Sequence, residues 1–284
     1  MKNWNYQNFT VYQFDELDST NSHAAAMANA GKLFDREIVM ANCQNAGRGR
    51  MDRAWASPKG NLYFSLLLRE ALNLKDVGQI SFLAIVALRL AIEGLVDGLL
   101  PTEDSSLKFD AEPKVPKVDS SPKLNTKPKI ENKWPNDLLL DEKKLAGILL
   151  ESKFNQEKCE FVVLGIGVNI ASSPDNTIFP ATNLAHHNIK ITPENLLREF
   201  LAQFEILYQN WLSFGFQNVR KAWLSKAYRL KEEIVVKVEG KEIKGVFEDL
   251  DVDGALILKV EGDSENENNL GNDGLKKIFY GDIS

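Results

Sequence analysis

The feature that most constrains the fold of this chain is a segment, residues 78–100, that is apolar almost all the way around a helix. It reads GQISFLAIVALRLAIEGLVDGLL, and a helix without a polar face is normally buried on every side. We therefore predict a buried helix here. The chain of 284 residues is long enough for one large domain, or for one domain and a small module. Its longest purely apolar run, FLAIVAL at 82–88, is far too short to span a bilayer.

The composition and charge of the chain narrow the class of protein. A hydrophobic content of 44% is ordinary for a soluble globular protein, and the net charge of −6 argues against a general nucleic-acid binder. Cys43 and Cys159 share no metal-ligand spacing with the three histidines, and a disulfide framework is not expected. The first residues, MKNWNYQNFTVYQF, contain no apolar signal core. These observations predict a soluble, cytoplasmic protein that acts on neither DNA nor a membrane.

The hydrophobic periodicity predicts strands and helices over most of the chain. Ser19, Thr20 or Asn21 can cap an alanine-rich helix that ends at Gly31, and a second amphipathic helix follows Thr192. The predicted strands are FTVYQFDEL, EIVMANCQ, NLYFSLLLR, two segments of NKWPNDLLLDEKKLAGILLESKF that the turn DEKK joins, and CEFVVLGIGVNI. This mixture of elements predicts an α/β domain.

Two segments depart from this pattern. Residues 101–130 hold five of the ten prolines and six lysines, and little that could build a core, so we predict a solvated, mobile insertion there. From about residue 231 the period changes to two, and four or so short strands follow, which is the size of a small SH3-like β-barrel. The predicted division is therefore a main domain, 1–230, and a C-terminal module, 231–284.

A loop rich in glycine and arginine, residues 46–55 with the sequence AGRGRMDRAW, is the first candidate for ligand binding. Glycines let backbone amides approach a ligand, and arginine side chains bind phosphate or carboxylate through paired hydrogen bonds. On this motif alone, a basic surface turn and an anion site are equally good interpretations. We call this segment the arginine loop.

The segment KWPNDLLL, residues 133–140, places several polar groups at the entrance of a strand. The Asn136 amide and the Asp137 carboxylate could hold Mg²⁺ or fix a ribose, and a Pro-Asn-Asp turn without a ligand is the competing interpretation. Lys144 enters an apolar strand shortly afterwards, where partial desolvation favours an anion as its partner. A lysine that extends from the strand end to water is the alternative there.

Two further motifs receive a plainer interpretation. GIGVNI, residues 165–170, resembles the start of a dinucleotide fingerprint, but Ile170 stands at its last position and no helix pattern follows. We expect its glycines to admit a ligand or another backbone, with Asn169 turned inward. His186 and His187 have no carboxylate or cysteine at metal-ligand spacing, so we predict an ordinary polar loop.

In combination and in order, these motifs resemble those of the biotin protein ligases. The resemblance covers nearly the whole chain outside 101–130, and the C-terminal residues GALIL and GDIS are also similar to the family's last module. The matching segments are STN at 19–21, QNAGRGR at 44–50, Trp55, NLYFS at 61–65, KWPNDLLL at 133–140, KLAGILLE at 144–151 and GIGVNI at 165–170.

The resemblance implies a fold, a reaction and a partner. The expected fold is a mixed sheet like that of class II aminoacyl-tRNA synthetases, with flanking helices and the SH3-like module. Members of the family activate biotin with MgATP as biotinyl-5′-AMP, and then pass the biotinyl group to a lysine of a biotin carboxyl carrier protein. The arginine loop is expected to close over the reactive anhydride and exclude water. DNA binding is not expected, because the DNA-binding domain of the family's repressor members has no counterpart before residue 10.

The resemblance also implies a role for each matching residue. Lys144 is the expected main catalytic cation, and Arg48 and Arg50 are the other two. The residues expected to bind biotin are Ser19, Thr20, Asn21, Gln44, Gly47, Arg48, Lys144 and Gly147. Those expected to bind ATP are Arg50, Trp55, Lys133, Asn136, Asp137 and Asn169, and Asp137 is also expected to help organise Mg²⁺. Arg53 follows the divergent Met-Asp pair and receives no role.

Two other functions remain compatible with the sequence. A lipoate ligase or octanoyl transferase shares the fold but needs a pocket for an alkyl chain, whereas the polar residues 19–21 and Gln44 favour the ureido group of biotin. A non-catalytic, nucleotide-binding relative would have no reason to keep the charged residues of the site together. By fold analogy, a sheet edge of the main domain offers a surface for a homodimer or for the carrier protein.

Overall fold

Two β-sheets organise the part of the chain that the computed structural model describes, which comprises residues 1–69, 73–98, 127–156, 158–175, 177–260 and 274–283. The strands of the first sheet are β1 (Lys2–Tyr6), β2 (Phe9–Phe14), β3 (Glu37–Ala41), β4 (Leu62–Leu68), β5 (Ile130–Lys133), β6 (Asp137–Leu140), β7 (Lys143–Asn155) and β8 (Lys158–Val168). Their order across the sheet is β1-β2-β3-β4-β8-β7-β6-β5. β2 and β3 run parallel, and the other neighbours are antiparallel.

The α-helices within these ranges are α1 (Thr20–Asn29), α2 (Leu74–Val96), α3 (Pro193–Phe214) and α4 (Gln217–Leu224). α1 connects the parallel strands β2 and β3, since parallel neighbours need a crossover connection. It begins at one of the predicted caps, where the Ser19 side chain accepts a hydrogen bond from the Ser22 backbone N–H at 3.4 Å. The Thr192 side chain caps α3 in the same way by accepting from the Asn195 backbone N–H at 3.2 Å.

The apolar segment that constrains the fold forms α2, which confirms the predicted buried helix. Residues Asp76–Val96 are long and apolar enough to cross a membrane, but 72% of their most apolar window is buried inside the molecule, as in a core helix. α2 packs against α3, whose buried face includes Phe200. Phe200 in turn contacts Phe64 of β4, with ring centroids 5.3 Å apart. α2, α3 and α4 therefore share one core with the first sheet, whereas α1 packs on that sheet through a second buried cluster.

The second sheet is antiparallel and lies entirely in the C-terminal part of the chain. Its strands are β9 (Glu233–Val238), β10 (Lys241–Leu250), β11 (Leu256–Lys259), β12 (Leu275–Ile278) and β13 (Asp282–Ile283), in the order β12-β11-β10-β9-β13. Trp223 of α4 contacts Phe247 of β10, and Trp134 Nε1 donates to the Gly254 carbonyl oxygen at 3.2 Å. The mixed α/β class with a small C-terminal β unit is confirmed. The boundaries of domains 1–230 and 231–284 stay a prediction.

Two strands and one boundary differ from the sequence-based expectations. The sequence pattern predicts neither β1 nor β5, because both are short and rich in polar residues; β5 reads IENK. The predicted insertion, 101–130, extends too far, since Ile130 is buried and begins β5. Residues 101–126 of the insertion lie outside the described residues.

Candidate active site

Glycines on neighbouring strands leave room for an indole ring on the surface of the first sheet. Gly147 on β7 pairs with Gly167 on β8, and the ring of Trp55 lies against both. A Cβ atom at Gly167 would lie 2.5 Å from Trp55 Nε1, and one at Gly147 would lie 3.0 Å from the same ring. The close approach of the indole therefore requires glycine in the motifs KLAGILLE and GIGVNI. Trp55, predicted to bind ATP, here contacts a residue predicted to bind biotin, and both roles stay predictions.

Short hydrogen bonds join the residues that the resemblance assigns to biotin. Gln44 Oε1 accepts from the Thr20 backbone N–H at 2.8 Å, and Gln44 Nε2 donates to Ser57 Oγ at 2.9 Å. Ser65 Oγ donates to Asn21 Oδ1 at 2.5 Å and lies 2.8 Å from Thr20 Oγ1. The first turn of α1, the segment after β3 and the buried strand β4 therefore share one polar network.

Arg48 is held by a carboxylate in this structure. Its Nη2 atom donates to both oxygens of Glu151, at 2.9 and 3.0 Å, and Glu151 also accepts from Asn21 Nδ2 at 2.8 Å. Glu151 thus connects the arginine loop with the first turn of α1. The Arg48 side chain remains 39% exposed, so an anion from solution can reach it.

The backbone of the arginine loop folds back on itself. The Trp55 backbone N–H donates to the Gly47 carbonyl oxygen at 2.9 Å, and a Cβ atom at Gly47 would lie 2.4 Å from the Trp55 carbonyl oxygen. Glycine is therefore required at position 47. Met51 and Asp52 have φ values of 51° and 54°, in the left-handed region that favours glycine.

The C-terminal sheet contacts the arginine loop directly. Arg50 Nη1 donates to the Gly281 carbonyl oxygen at 3.3 Å and to Asn136 Oδ1 at 3.4 Å, and it lies 3.6 Å from Asp282 Oδ1. Arg53 Nη2 forms an ion pair with Asp282 Oδ2 at 2.8 Å. Burial lowers the pKa of the Arg50 guanidinium, and the neighbouring carboxylates oppose that shift. Arg50, which the resemblance assigns to catalysis, is therefore positioned by both sheets.

Lys144 and Asp137 form an ion pair beside Trp55. Lys144 Nζ lies 2.7 Å from Asp137 Oδ1 and 5.3 Å from the centre of the Trp55 ring. This carboxylate oxygen is buried and has no other hydrogen-bond partner within the described ranges. The anion that faces Lys144 in this structure is thus the Asp137 carboxylate, on the neighbouring strand β6.

Lys133 and Asn136 flank the turn between β5 and β6. Lys133 is buried, its Nζ lies 4.0 Å from the centre of the Phe179 ring, and burial lowers its pKa while Asp137 opposes the shift. Asn136 Nδ2 donates to the Ile148 carbonyl oxygen at 2.5 Å, which ties the turn to β7. Asn136 is thus attached to β7, whereas the Lys133 side chain lies against the segment that follows β8.

Asn169 lies at the end of β8 and is buried, as expected for a residue turned inward. Its backbone N–H donates to the Leu145 carbonyl oxygen at 2.9 Å, and its Nδ2 donates to the Thr182 carbonyl oxygen at 3.1 Å. It is therefore attached to the residue that follows Lys144, rather than to the arginine loop.

Direct contacts thus connect the arginine loop with the turn before β6 and with β7, β8 and β13, and Glu151 links it to α1. Lys133 and Asn169 contact the segment that follows β8. Sequence reasoning assigns no role to four polar residues that shape this region: Ser57, Asn61, Ser65 and Glu151. Asn61 Oδ1 accepts hydrogen bonds from three successive backbone N–H groups, those of residues 170–172. A polar residue such as Ser65 within a fully buried strand is the signal that could have revealed this network.

Comparison with known proteins decides the family. The model of the biotin/lipoate A/B protein ligase family matches residues 14–169. The biotin--[acetyl-CoA-carboxylase] ligase of Paracoccus denitrificans is 35% identical over 249 residues, which cover 85% of this chain and 91% of that protein. The chain belongs to the biotin protein ligase family. The resemblance found in its motifs is confirmed.

Solved structures of biotin protein ligases have the same fold as this ligase. One from Aquifex aeolicus, in complex with biotin and ATP, aligns with a TM-score of 0.70 at 24% identity and covers 96% of this chain and 97% of that chain. One from Leishmania major, in complex with biotinyl-5-AMP, has a TM-score of 0.58 at 22% identity and covers 95% and 98%. At these identities the likeness establishes the fold of this biotin protein ligase.

We expect the Arg53–Asp282 ion pair to contribute little to the activity of this ligase. The Arg53 side chain is 49% exposed, and exposed pairs contribute about 0–1 kcal/mol, or no more than about fivefold in a binding constant. Arg53→Ala should therefore change the KM for ATP less than Arg50→Ala, which removes contacts to both sheets. Steady-state kinetics of adenylate formation compare the two variants. A larger effect from Arg53→Ala would make Arg53 a ligand-binding residue.

Proposed function

We propose that this biotin protein ligase joins biotin and ATP into biotinyl-5′-AMP, and then transfers the biotinyl group to a lysine of a carrier protein. The observation that supports this most strongly is the contact of Lys144 with Asp137 and Trp55 above the glycines of β7 and β8. The arginine loop is held against the same strands through Arg48 and Arg50. One region of the molecule therefore presents three cations.

Cations are needed because the first step brings two anions together, the biotin carboxylate and the ATP triphosphate. The carboxylate oxygen attacks the α-phosphorus, and the bond to the pyrophosphate leaving group breaks. Lys144, Arg48 and Arg50 are already held by protein carboxylates or carbonyl groups, so little reorganisation is required when charge accumulates. Asp137 and Glu151 neutralise Lys144 and Arg48 in the absence of an anionic ligand.

The polar network around Thr20, Asn21 and Gln44 supports biotin over lipoate as the substrate. A ureido group presents both N–H donors and a carbonyl acceptor, and hydroxyl, amide and backbone groups can match them. The alkyl chain of lipoate offers these residues no hydrogen-bonding group, which disfavours its binding relative to biotin. A competition assay between biotin and lipoate therefore distinguishes the two candidate substrates.

Mg²⁺ is the remaining cofactor that we propose, with Asp137 as its protein ligand. Groups of three or more potential metal ligands are absent from the described ranges, so a dedicated protein cage does not exist there. Mg²⁺ at phosphate sites instead takes one or two carboxylates together with substrate phosphates and waters. The buried Asp137 carboxylate, which pairs with Lys144 in this structure, would supply one such carboxylate. When bound, the ion would neutralise phosphate charge and replace Lys144 as the partner of Asp137, which would release the ammonium to face the biotin carboxylate.

The acceptor we propose is the biotin carboxyl carrier protein domain of acetyl-CoA carboxylase or a related carboxylase, in keeping with the name of the Paracoccus relative. Its lysine amine attacks the biotinyl carbonyl carbon and AMP leaves. The outer side of β1 is the sheet edge we propose for carrier docking or for a homodimer, because β5 at the other edge bonds to residues 226–228. A cytoplasmic location and the absence of DNA binding stay part of the proposal.

Biotin-dependent exchange of pyrophosphate into ATP tests the first step. We expect pyrophosphate exchange with biotin and at least about 100-fold less with lipoate, because lipoate cannot hydrogen-bond to the polar groups proposed to bind the ureido ring. A parallel assay follows transfer of labelled biotin to a carrier domain. Exchange with lipoate alone would assign the chain to the lipoate branch of its family, and exchange with neither ligand would refute adenylate formation.

A further inference from the structure

His187, the second histidine of the pair that the sequence leaves without a role, belongs to a cluster of polar side chains beside the segment that hydrogen-bonds to the Lys144 backbone. His187 Nε2 lies 3.0 Å from Thr182 Oγ1, and His187 Nδ1 lies 3.4 Å from Asp141 Oδ2. Asp141 is itself held in place, because its Oδ1 atom accepts from the Lys129 backbone N–H at 2.8 Å. We call Asp141, His187 and Thr182 the histidine brace.

The order of atoms in the brace determines the direction of its hydrogen bonds. Asp141 Oδ2 lies 3.4 Å from His187 Nδ1 and a carboxylate only accepts, so we assign the proton of the neutral imidazole to Nδ1. His187 Nε2 is then an acceptor, and the Thr182 hydroxyl donates to it. An acid, an imidazole and a hydroxyl in this order also occur in hydrolases, but Thr182 is only 3% exposed. A substrate cannot reach this hydroxyl, so the cluster serves to position other groups.

Residues 180–182 form hydrogen bonds with both the backbone N–H and the carbonyl oxygen of Lys144. The Lys144 backbone N–H donates to the Pro180 carbonyl oxygen at 2.7 Å, and the Lys144 carbonyl oxygen accepts from the Thr182 backbone N–H at 2.9 Å. The Thr182 carbonyl oxygen accepts from Asn169 Nδ2 at 3.1 Å. One residue thus fixes the backbone of the main cation and the side chain of a predicted ATP-binding residue.

We propose that Asp141, His187 and Thr182 position Lys144 and Asn169 for adenylate formation, with His187 as the residue that keeps segment 180–182 in place. The inference deepens the proposed function, since it takes the catalytic role of Lys144 from there. His187 and Thr182 touch no reacting atom and are positioning residues. A displacement of Lys144 of about 1 Å is enough to cost roughly 100-fold in rate.

The brace should also respond to pH. Burial lowers the pKa of His187 from 6.5, Asp141 opposes this shift, and His186 and Lys143 add to it. The native protein therefore takes up this proton at lower pH than the unfolded chain does. The stabilising contribution is complete above pH 6.5 and is lost as the pH falls toward the lowered pKa. Protonation also removes the acceptor that the Thr182 hydroxyl needs.

Four single variants and one double variant test the proposal. His187→Leu removes both polar atoms, Thr182→Val removes the hydroxyl at nearly constant shape, and His187→Gln supplies an acceptor and a donor that do not titrate. His186→Gln is the matched control, since His186 is exposed and is not a member of the brace. Each variant is measured by pyrophosphate exchange as kcat and KM between pH 5.5 and 8, and by amide hydrogen exchange at residues 144 and 182.

His187→Leu and Thr182→Val should each lower kcat by about 10- to 100-fold and leave the KM for biotin unchanged. The double variant should lower kcat no more than the more damaging of the two single substitutions, because both act through the same contact. His187→Gln should stay within about threefold at pH 7.5 and lose the acidic limb that His187 causes. Amide exchange at 144 and 182 should accelerate in the leucine variant. The proposal would be overturned if His187→Leu kept a normal kcat and normal amide exchange. It would also be overturned if His187→Leu lowered kcat and Thr182→Val did not. If the unmodified enzyme shows no pyrophosphate exchange, the proposed function is refuted. The brace is still tested in that case, because amide hydrogen exchange at residues 144 and 182 does not depend on activity.

Discussion

Replacing Lys144 with alanine is expected to reduce biotin-dependent pyrophosphate exchange by about 100- to 1,000-fold, which is the usual effect of removing one preorganised group that stabilises charge in a transition state. Lys144 Nζ lies 2.7 Å from Asp137 and beside Trp55, so its positive charge is concentrated where the two substrate anions are proposed to meet. The loss should be mainly in kcat, because the charge acts most strongly once the anions are in contact. Exchange kinetics at saturating ATP and biotin measure it.

The neighbouring lysine provides the matched control for that experiment. Lys143 is the first residue of β7 and is exposed, so Lys143→Ala changes the net charge by the same amount and should alter kcat by less than about twofold. Lys144→Ala also leaves the Asp137 carboxylate without its counter-ion, which lowers the melting temperature. The double variant Lys144→Ala/Asp137→Asn should recover the melting temperature but not the activity. Near-normal turnover in either variant that lacks Lys144 would remove this residue from the mechanism.

Introducing one methyl group at Gly165 is expected to damage biotin binding. Gly165 lies on β8 between Ser65 and Leu149 of the neighbouring strands, and a Cβ atom there would lie 2.0 Å from Asn21 Oδ1. Asn21 is buried and bonded to Ser65 and Glu151, so it cannot move without breaking the polar network. Gly165→Ala should raise the KM for biotin at least about tenfold and destabilise the fold by about 1–3 kcal/mol.

Gly78 is the control for the methyl group itself. It lies in α2, and a Cβ atom there meets nothing within 4 Å, so Gly78→Ala should leave the KM unchanged and stabilise the helix by about 0.5–1 kcal/mol. Thermal melting and biotin titrations at saturating ATP compare the two variants. An unchanged KM in a folded Gly165→Ala protein would contradict the assignment of Asn21 to the biotin site.

Much of the fold follows from local pattern, and the exceptions have a common cause. α2 is apolar on nearly every side and α3 carries a regular apolar face, so both long helices can be identified from the sequence. β1 and β5 are short and polar, and pairing with neighbours rather than composition makes them strands. The backbone bonds from β5 to residues 226–228 connect parts of the chain that no window of sequence covers together.

In the site, too, some residues could be predicted from the sequence and others could not. The motif residues could be named because the family's order of motifs is specific, but their partners could not. Arg48 bonds to Glu151 across 103 residues, and Arg53 bonds to Asp282 across 229 residues. Such pairs depend on how strands and sheets pack, which periodicity does not encode. His187 shows what the sequence cannot predict. Its motif indicates an ordinary polar loop, and only the folded structure brings Thr182 and Asp141 into contact with the imidazole.

The indole that lies on the glycines of β7 and β8 has an optical consequence. Trp55 Nε1 is buried and has no hydrogen-bond partner within the described ranges, and the Lys144 ammonium lies 5.3 Å from its ring. The burial of Nε1 and the nearby positive charge both affect the fluorescence emission of an indole. A ligand that moves the arginine loop would change both, and with them the emission. The fluorescence of Trp55, isolated by subtracting the spectrum of a Trp55→Phe variant, therefore reports the state of the loop without any attached dye. The ligase carries its own emission probe at the point where its two proposed substrates meet.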